Sequence, residues 1–191
     1  FTSKKWAALG DELKFKLVAN IAAILFDLGR QEDAARELLT LTDVRYENGE
    51  TKAYLALAYA LLHDRENFEK TFKQAVEIND RSVNLWIGYL YMVDKDETFD
   101  EIKQLIPTDI LEKSKVLFAL GNIYLDRGLI AEGFELLDSS MAKIGDTDGS
   151  KWHIQGIYAS RILTNIITVE KVVFNRFTDQ DIAQIRRAIN I

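Results

Sequence analysis

The stretch that decides the fold is ALGNIYLDRGLIAEGFELL, Ala119 to Leu137. Its apolar residues recur at helical spacing, which predicts helix. Three glycines, Gly121, Gly128 and Gly133, interrupt the stretch, and each costs about 1 kcal/mol relative to Ala inside a helix. We therefore predict two helices instead of one. Gly128 makes the turn between them, and Gly121 and Gly133 let the two helices approach closely.

The residues around these glycines resemble the core of a tetratricopeptide repeat. The pattern of that family is a bulky residue, then Leu-Gly, then Tyr three residues on, a turn that often holds Gly, and a small residue where the second helix crosses the first. In this chain the pattern falls on Leu117, Leu120, Gly121, Tyr124, Gly128 and Gly133. The resemblance implies an all-α fold, a right-handed superhelix or solenoid of antiparallel helix hairpins.

Further copies follow at about 34 residues, the period of the family. A copy that starts at Phe15 has its turn glycine at Gly29 and its crossing residue at Ala34, the same offset that separates Gly128 from Gly133. A non-repeating helical bundle would explain the apolar stripes but not this shared offset. We predict one domain over residues 1–191, with repeats at 15–48, 49–82, 83–113 and 114–147, a divergent repeat at 148–177 and a capping helix at 178–191.

The two middle copies match the pattern less well. In the second, Phe68 takes the crossing position and the turn LLHDREN lacks glycine; a shifted alignment that puts Phe68 on the turn side fits nearly as well. In the third, the turn is VDKDET, Ile102 is the crossing residue and Pro107 ends the repeat. The capping helix takes Thr178 or Asp179 as its N-cap.

Composition and hydropathy bound the class of protein. The chain has 191 residues, a single Pro and no Cys, so helices are seldom interrupted and neither disulfides nor thiolate sites can form. The longest apolar run, Leu17 to Phe26, is far shorter than the roughly 20 residues of a membrane span. We expect a soluble chain, with the cytoplasm slightly favoured. Because it begins at Phe1 without Met, we expect a fragment, which leaves a periplasmic or membrane-anchored full-length form open.

Charge argues against nucleic acid as a partner. The net charge is −6, with −9 in residues 1–150 and +3 in residues 151–191. An acidic body repels phosphate backbones, and the basic end is too sparse to reverse that repulsion.

Residues able to do chemistry are scattered. His63 and His153 are far apart in the sequence, and we interpret each as a structural or surface residue. The acidic run Asp94 to Glu101 lacks the glycine of a calcium loop, and we interpret it as a solvated turn before a helix N-terminus. A metal-dependent enzyme that used Asp94, Asp96 and Asp100 is an alternative that we do not favour. We predict no metal, no cofactor and no enzymatic activity.

The resemblance directs attention to the concave side of the superhelix, which is lined by the first helix of each repeat and binds peptides in that family. In this chain that side contains Asn20 and Ala23 and the predicted binding residues Phe26, Tyr54, Leu57, Leu61, Ile87, Tyr91, Phe118, Asn122 and Leu125. Such an apolar and aromatic groove suits a helix or an extended apolar peptide. Two alternatives stay open: Tyr54, Tyr91 and Phe118 pack between repeats, or the C-terminal helix fills the groove.

These observations predict a non-enzymatic protein-protein interaction module. The alternative is a ligand- or peptide-sensing effector domain of a larger regulator, such as a transcriptional one. A DNA-binding module ahead of Phe1 would favour the regulator. The sequence leaves homo-oligomerisation open.

Overall fold

The computed structural model describes residues 6–46, 49–94, 97–144, 160 and 177–189. Over these residues the chain is α-helical, with one 3-10 segment and no strand. The prediction of an all-α fold is therefore confirmed for the part of the chain that is described. None of the helices in that part is both long enough and apolar enough to cross a membrane.

The chain divides into two compact units, residues 1–119 and 120–191. The helices of the first unit are α1 Asp11–Asp27, α2 Gln31–Leu39, α3 Gly49–Leu61, α4 Arg65–Asn79, α5 Val83–Met92, α6 Phe99–Leu105 and α7 Thr108–Leu111. Helix α8, Ser114–Asp126, runs from the first unit into the second, which also contains α9 Ile130–Lys143 and α10 Asp179–Ile189. Helices α3, α5 and α8 begin at Gly49, Val83 and Ser114, the residues where the sequence pattern starts a new copy.

Three of the helix pairs are joined by the same three-residue turn. Its middle residue has a left-handed backbone in each case: Gly29 with φ 71°, His63 with φ 55° and Gly128 with φ 80°. In the first turn the Gly29 N–H donates to the Phe26 carbonyl at 2.9 Å and the next N–H donates to the Leu25 carbonyl at 2.8 Å. The other two turns repeat these two hydrogen bonds. This is the Schellman arrangement, which satisfies the last carbonyls of a helix.

His63 occupies the position that glycine occupies in the other two turns, so the turn geometry shows how the second copy aligns with the first and the fourth. Phe68 follows His63 at the offset that separates Gly29 from Ala34, and it is buried inside α4. The shifted alignment that put Phe68 on the turn side is therefore wrong. The left-handed residue in this turn is a histidine, so composition alone did not reveal it.

Small residues lie where α8 and α9 cross. A Cβ added to Gly121 would come within 3.1 Å of the Gly133 carbonyl oxygen, and a Cβ added to Gly133 would come within 3.1 Å of the Gly121 carbonyl oxygen. The prediction that these two glycines permit close approach, with Gly128 in the turn, is confirmed. The corresponding residues of the first pair, Ala22 and Ala34, are 1% and 0% exposed.

The third helix pair is joined differently. Residues 93–98 separate α5 from α6, and Thr98 begins α6 with a capping box in which its hydroxyl accepts from the Glu101 N–H while the Glu101 carboxylate accepts from the Thr98 N–H. This arrangement satisfies two backbone groups at the helix start. The predicted crossing residue, Ile102, is fully buried. Pro107 follows α6 and becomes the N-cap residue of α7.

Helix α3 is the centre of the first unit. It packs against α2, α4 and α5, and its apolar residues contribute to two separate clusters. Leu55, Leu57, Ala58 and Leu61 join the cluster formed with α1 and α2. A second set, formed by Ala53, Ala56 and Ala60, joins the cluster formed with α4 and α5. A helix that is apolar on nearly all sides is buried on nearly all sides.

A polar network fixes the start of α3 against the junction of α4 and α5. The Glu50 carboxylate accepts hydrogen bonds from the Asn79 amide at 3.2 Å and from the Ser82 hydroxyl at 3.0 Å. Ser82 is 2% exposed, and a buried hydroxyl needs such a partner. The network links consecutive helix pairs.

The C-terminal predictions are only partly covered. The divergent repeat, residues 148–177, and its candidate residues Trp152, Gly156 and Tyr158 lie almost wholly outside the described residues. Helix α10 is described, and the Thr178 hydroxyl accepts from the Asp181 N–H at 3.1 Å. Of the two predicted N-cap residues, Thr178 therefore has that role.

Candidate functional site

Five of the nine predicted binding residues lie around one core in the first unit. Phe26 of α1, Tyr54 of α3 and Ile87 of α5 are half-buried and pack against a cluster that includes Leu57 and Leu61. Side chains from three helices therefore pack against one core.

Two of these five are core residues instead of accessible binding residues. Leu57 is 3% exposed and Leu61 is 8% exposed. Leu57 is enclosed because α5 approaches closely: a Cβ added to Gly88 would lie 3.1 Å from the Leu57 Cα. The prediction that Leu57 and Leu61 are available to a partner is wrong, because both are buried in the core.

Tyr54 connects the three helices. Its ring meets the Phe15 ring of α1 edge to face at a centroid distance of 5.7 Å, a favourable aromatic geometry. Asn84 of α5 forms a side-chain hydrogen bond with the Tyr54 hydroxyl. Burial raises the pKa of Tyr54 above its ordinary value, and the bond from Asn84 opposes that change. The phenol is therefore held neutral and in place.

The accessible part of the face is uncharged. Tyr91 is 42% exposed and stands one helical turn after Ile87 on α5. Asn20 and Ala23 are exposed on α1. Together with Phe26 they follow one another at intervals of three residues, so the three lie on one side of the helix. We call the set the α1–α3–α5 face: Asn20, Ala23, Phe26, Tyr54, Ile87 and Tyr91.

The remaining three predicted residues belong to α8. Phe118, in the first unit, and Asn122, in the second, are partly buried. Leu125 is 4% exposed, and its side chain covers Gly133, where a Cβ would lie 2.7 Å from the Leu125 Cδ2. Leu125 is thus part of the contact between α8 and α9, and its prediction as an accessible groove residue is wrong.

Sequence reasoning missed three residues that shape the face. Asn84 holds Tyr54, and the Phe15 ring contacts both the Tyr54 ring and the Tyr46 ring, the latter at a centroid distance of 5.4 Å. The sequence could have indicated Asn84, since it precedes Ile87 by three residues and Tyr91 by seven and therefore lies on the same side of the helix. Nothing in the sequence indicated the contact between Phe15 and Tyr46.

The acidic run after α5 is held by structural contacts. Asp94 accepts from Arg65 at 2.6 Å, and Arg65 also donates to the Met92 carbonyl at 3.1 Å. Glu97 accepts from the Tyr89 hydroxyl at 3.0 Å. These contacts support the interpretation as a turn before a helix N-terminus.

No metal site is assembled in the described part of the chain. There, no group of three His, Asp or Glu side chains is placed to hold a metal ion. His63 is an exposed turn residue, as expected from its position. His153 and Asp96 lie outside the described residues.

Comparison of the chain with models of protein families, with curated proteins and with solved structures finds no match in any of the three.

Proposed function

We propose that the chain is a non-enzymatic, tetratricopeptide-like interaction module that binds an apolar peptide or helix of a partner on the α1–α3–α5 face. The observation that carries this proposal is that half-buried Phe26, Tyr54 and Ile87 of three helices pack against one core. The exposed Ala23 and Tyr91 lie one helical turn from Phe26 and Ile87. Exposed aromatic and aliphatic side chains on a rigid support are typical of binding hot spots.

The assignment to tetratricopeptide-like repeats is supported by the shared helix-pair geometry. Three pairs use the same left-handed turn residue with the same two hydrogen bonds. In each pair the residue five positions after the turn residue, Ala34, Phe68 or Gly133, is buried. Repetition of one helix pair is what a solenoid requires, and we infer that successive pairs stack in a right-handed superhelix.

The chemistry of the face defines the partner. The six residues carry no charge, and the Glu50 carboxylate acts on the Tyr54 hydroxyl and would repel a phosphate or a carboxylate. Recognition therefore depends on burial of apolar surface. Tyr54 is held by Phe15 and Asn84 before any partner arrives. A preorganised aromatic ring loses little conformational entropy on binding.

A random peptide library displayed on phage tests the proposal directly. We expect the selected peptides to be rich in aromatic and aliphatic residues and to lose binding when the face is changed by Tyr91→Glu or Ala23→Glu. The matched control is Ile78→Glu, since Ile78 is an exposed apolar residue of α4, 59% exposed, outside the face. Circular dichroism should report the same helix content for all three variants because the three side chains are exposed.

Two results would contradict the proposal. One is a set of selected peptides dominated by acidic residues, because none of the six residues of the face carries a positive charge. The other is binding that Tyr91→Glu and Ala23→Glu leave intact while Ile78→Glu removes it.

A further inference from the structure

Helices α3 and α5 lie side by side and run in the same direction. Near their first residues the Glu50 carboxylate accepts from the Ser82 hydroxyl at 3.0 Å. Farther along both helices, a Cβ added to Gly88 would lie 3.1 Å from the Leu57 Cα. These two contacts fix which residues of α3 and α5 are neighbours.

Tyr54 of α3 and Asn84 of α5 lie between these contacts and form a hydrogen-bonded pair. The Asn84 side-chain amide donates to the Tyr54 hydroxyl oxygen, and both residues are half-buried. Tyr54 belongs to the α1–α3–α5 face. Asn84 precedes Ile87 of that face by three residues, which places both on one side of α5. We call these two residues the Tyr54–Asn84 pair.

The Tyr54–Asn84 pair has more hydrogen-bonding capacity than its internal bond uses. That bond occupies one amide N–H and one lone pair of the hydroxyl oxygen, so the Tyr54 O–H hydrogen and the Asn84 carbonyl oxygen remain. Among the described residues, no other hydrogen bond involves these two side chains. No buried side-chain polar atom of the described chain lacks a partner, so the Asn84 carbonyl oxygen reaches solvent.

A partner that covers this pair has to satisfy both remaining groups, because a hydrogen-bonding group buried without a partner costs free energy. The pair offers one donor and one acceptor side by side. In an extended chain the N–H and C=O of one residue point to the same side and pair together with a neighbour of this kind. In a helix the N–H and C=O groups are bonded internally, and only side chains face a neighbour.

We propose that the Tyr54–Asn84 pair binds the main chain of one partner residue, so that the partner lies on the α1–α3–α5 face as an extended segment. The carbonyl of that residue accepts from the Tyr54 hydroxyl, and its N–H donates to the Asn84 carbonyl oxygen. Side chains of an extended segment alternate in direction, so every second one meets the apolar surface that includes Ile87. This inference rests on the proposed function and selects an extended peptide over a helix.

Two phage libraries separate an extended partner from a helical one. In the first, the random residues lie in linear peptides with proline at regular intervals, which excludes a helix. In the second, they lie on one side of an alanine-rich helix of about 20 residues. We expect the tightest peptide of the proline library to bind about tenfold or more tightly than the tightest helical peptide, and Tyr91→Glu to remove its binding.

The tightest peptide of the proline library is then the probe for the individual contacts. We expect Tyr54→Phe and Asn84→Ala each to weaken its binding by about fivefold to tenfold, the usual effect of one lost hydrogen bond. Tyr59→Phe is the matched control, since Tyr59 lies on the same helix but outside the face, and it should leave Kd unchanged. Circular dichroism is the folding control for all three variants.

Methylation of single backbone nitrogens in the probe tests the main-chain contact. We expect one methylated position to weaken binding to the parent chain by about fivefold to tenfold, because the N–H that donates to Asn84 is lost. The same methylation should have much less effect on binding to Asn84→Ala, since that variant has no acceptor to lose. A merely structural role of Asn84 would not produce this coupling.

The inference is overturned, and the proposed function kept, if helical peptides bind as tightly as proline-library peptides and Tyr91→Glu removes both. It is also overturned if Tyr54→Phe binds the probe as tightly as the parent chain does, or if methylation at every position has the same effect on the parent and on Asn84→Ala. The proposed function itself fails if Tyr91→Glu and Ala23→Glu leave the binders from both libraries unaffected, and the inference then fails with it.

Discussion

His63 has the backbone conformation that Gly29 and Gly128 adopt in the equivalent turns, with φ 55° against 71° and 80°. For an L-residue with a side chain, this conformation costs about 1–2 kcal/mol. The two Schellman hydrogen bonds and the helices on either side hold His63 there. The strain is local, since the imidazole is exposed and lies in a turn.

We expect His63→Gly to raise the free energy of unfolding by about 0.5–1 kcal/mol, because glycine relieves the strain at some cost in unfolded-chain entropy. Gly29→Ala should lower the free energy of unfolding by about 1 kcal/mol, because alanine is strained in a left-handed conformation. The measurement is the urea midpoint followed by circular dichroism. Gly10→Ala is a control without left-handed strain: Gly10 has φ −66° and no atom near its missing Cβ. The poorer N-cap preference of Ala and the lower entropy of the unfolded chain act in opposite directions there, so its change should be smaller than that of Gly29→Ala. A loss of stability in His63→Gly would show that the imidazole itself contributes.

Helices α8 and α9 depend on two glycines at their crossing. A Cβ added to either glycine would lie 3.1 Å from the backbone carbonyl oxygen of the other. The leucine side chains that lie closer still, Leu137 over Gly121 and Leu125 over Gly133, are flexible, but the backbone carbonyls cannot move aside without the helices separating. The separation of the two helices is therefore set by the absence of side chains at Gly121 and Gly133.

We expect Gly121→Val to lower the free energy of unfolding by about 1–3 kcal/mol, the usual range for overpacking a close contact. Ala142→Val, on an exposed position of α9, is the matched control for β-branching in a helix and should cost a few tenths of a kcal/mol. Urea titration of both variants decides the matter. Equal effects of the two substitutions would contradict the packing explanation.

The helices and their starts were largely predictable, whereas the accessible side of each helix was not. Glycine and small residues at fixed offsets gave the turns at Gly29 and Gly128, because few other residues suit those backbones. Helix α3 is apolar nearly all round, so its periodicity did not separate the buried Leu57 from the half-buried Tyr54. The turn residue His63 had no compositional signal at all.

The free energy of unfolding of the whole molecule depends on pH in the alkaline range, because partly buried tyrosines lose their protons there. Burial, and then the hydrogen bond to Glu97, raise the pKa of Tyr89 far above its ordinary value. Burial also raises the pKa of Tyr54. Tyrosines of the unfolded chain lose their protons near pH about 10. A group whose pKa is higher in the folded state stabilises the fold below that pH and ceases to do so as pH rises.

We therefore expect the free energy of unfolding to be steady from pH about 7 to 9 and to fall as pH passes about 10. Tyr89→Phe should be less stable than the parent near neutral pH, since the hydrogen bond to Glu97 is lost, and its disadvantage should shrink in the alkaline range. Urea titrations across this range provide the test. A constant difference between parent and variant up to pH about 10.5 would rule out Tyr89 as a source of the slope.

The repeated three-residue turn also bears on how quickly the chain folds. It keeps the contacts between paired helices close in sequence, so little loop entropy is lost when a pair closes. Low contact order of this kind is associated with fast folding. During synthesis α1 and α2 leave the ribosome before α3 is made, so this pair can close before the next helix is present. Synthesis and folding of the first unit can thus proceed in the same direction along the chain, one helix pair after another.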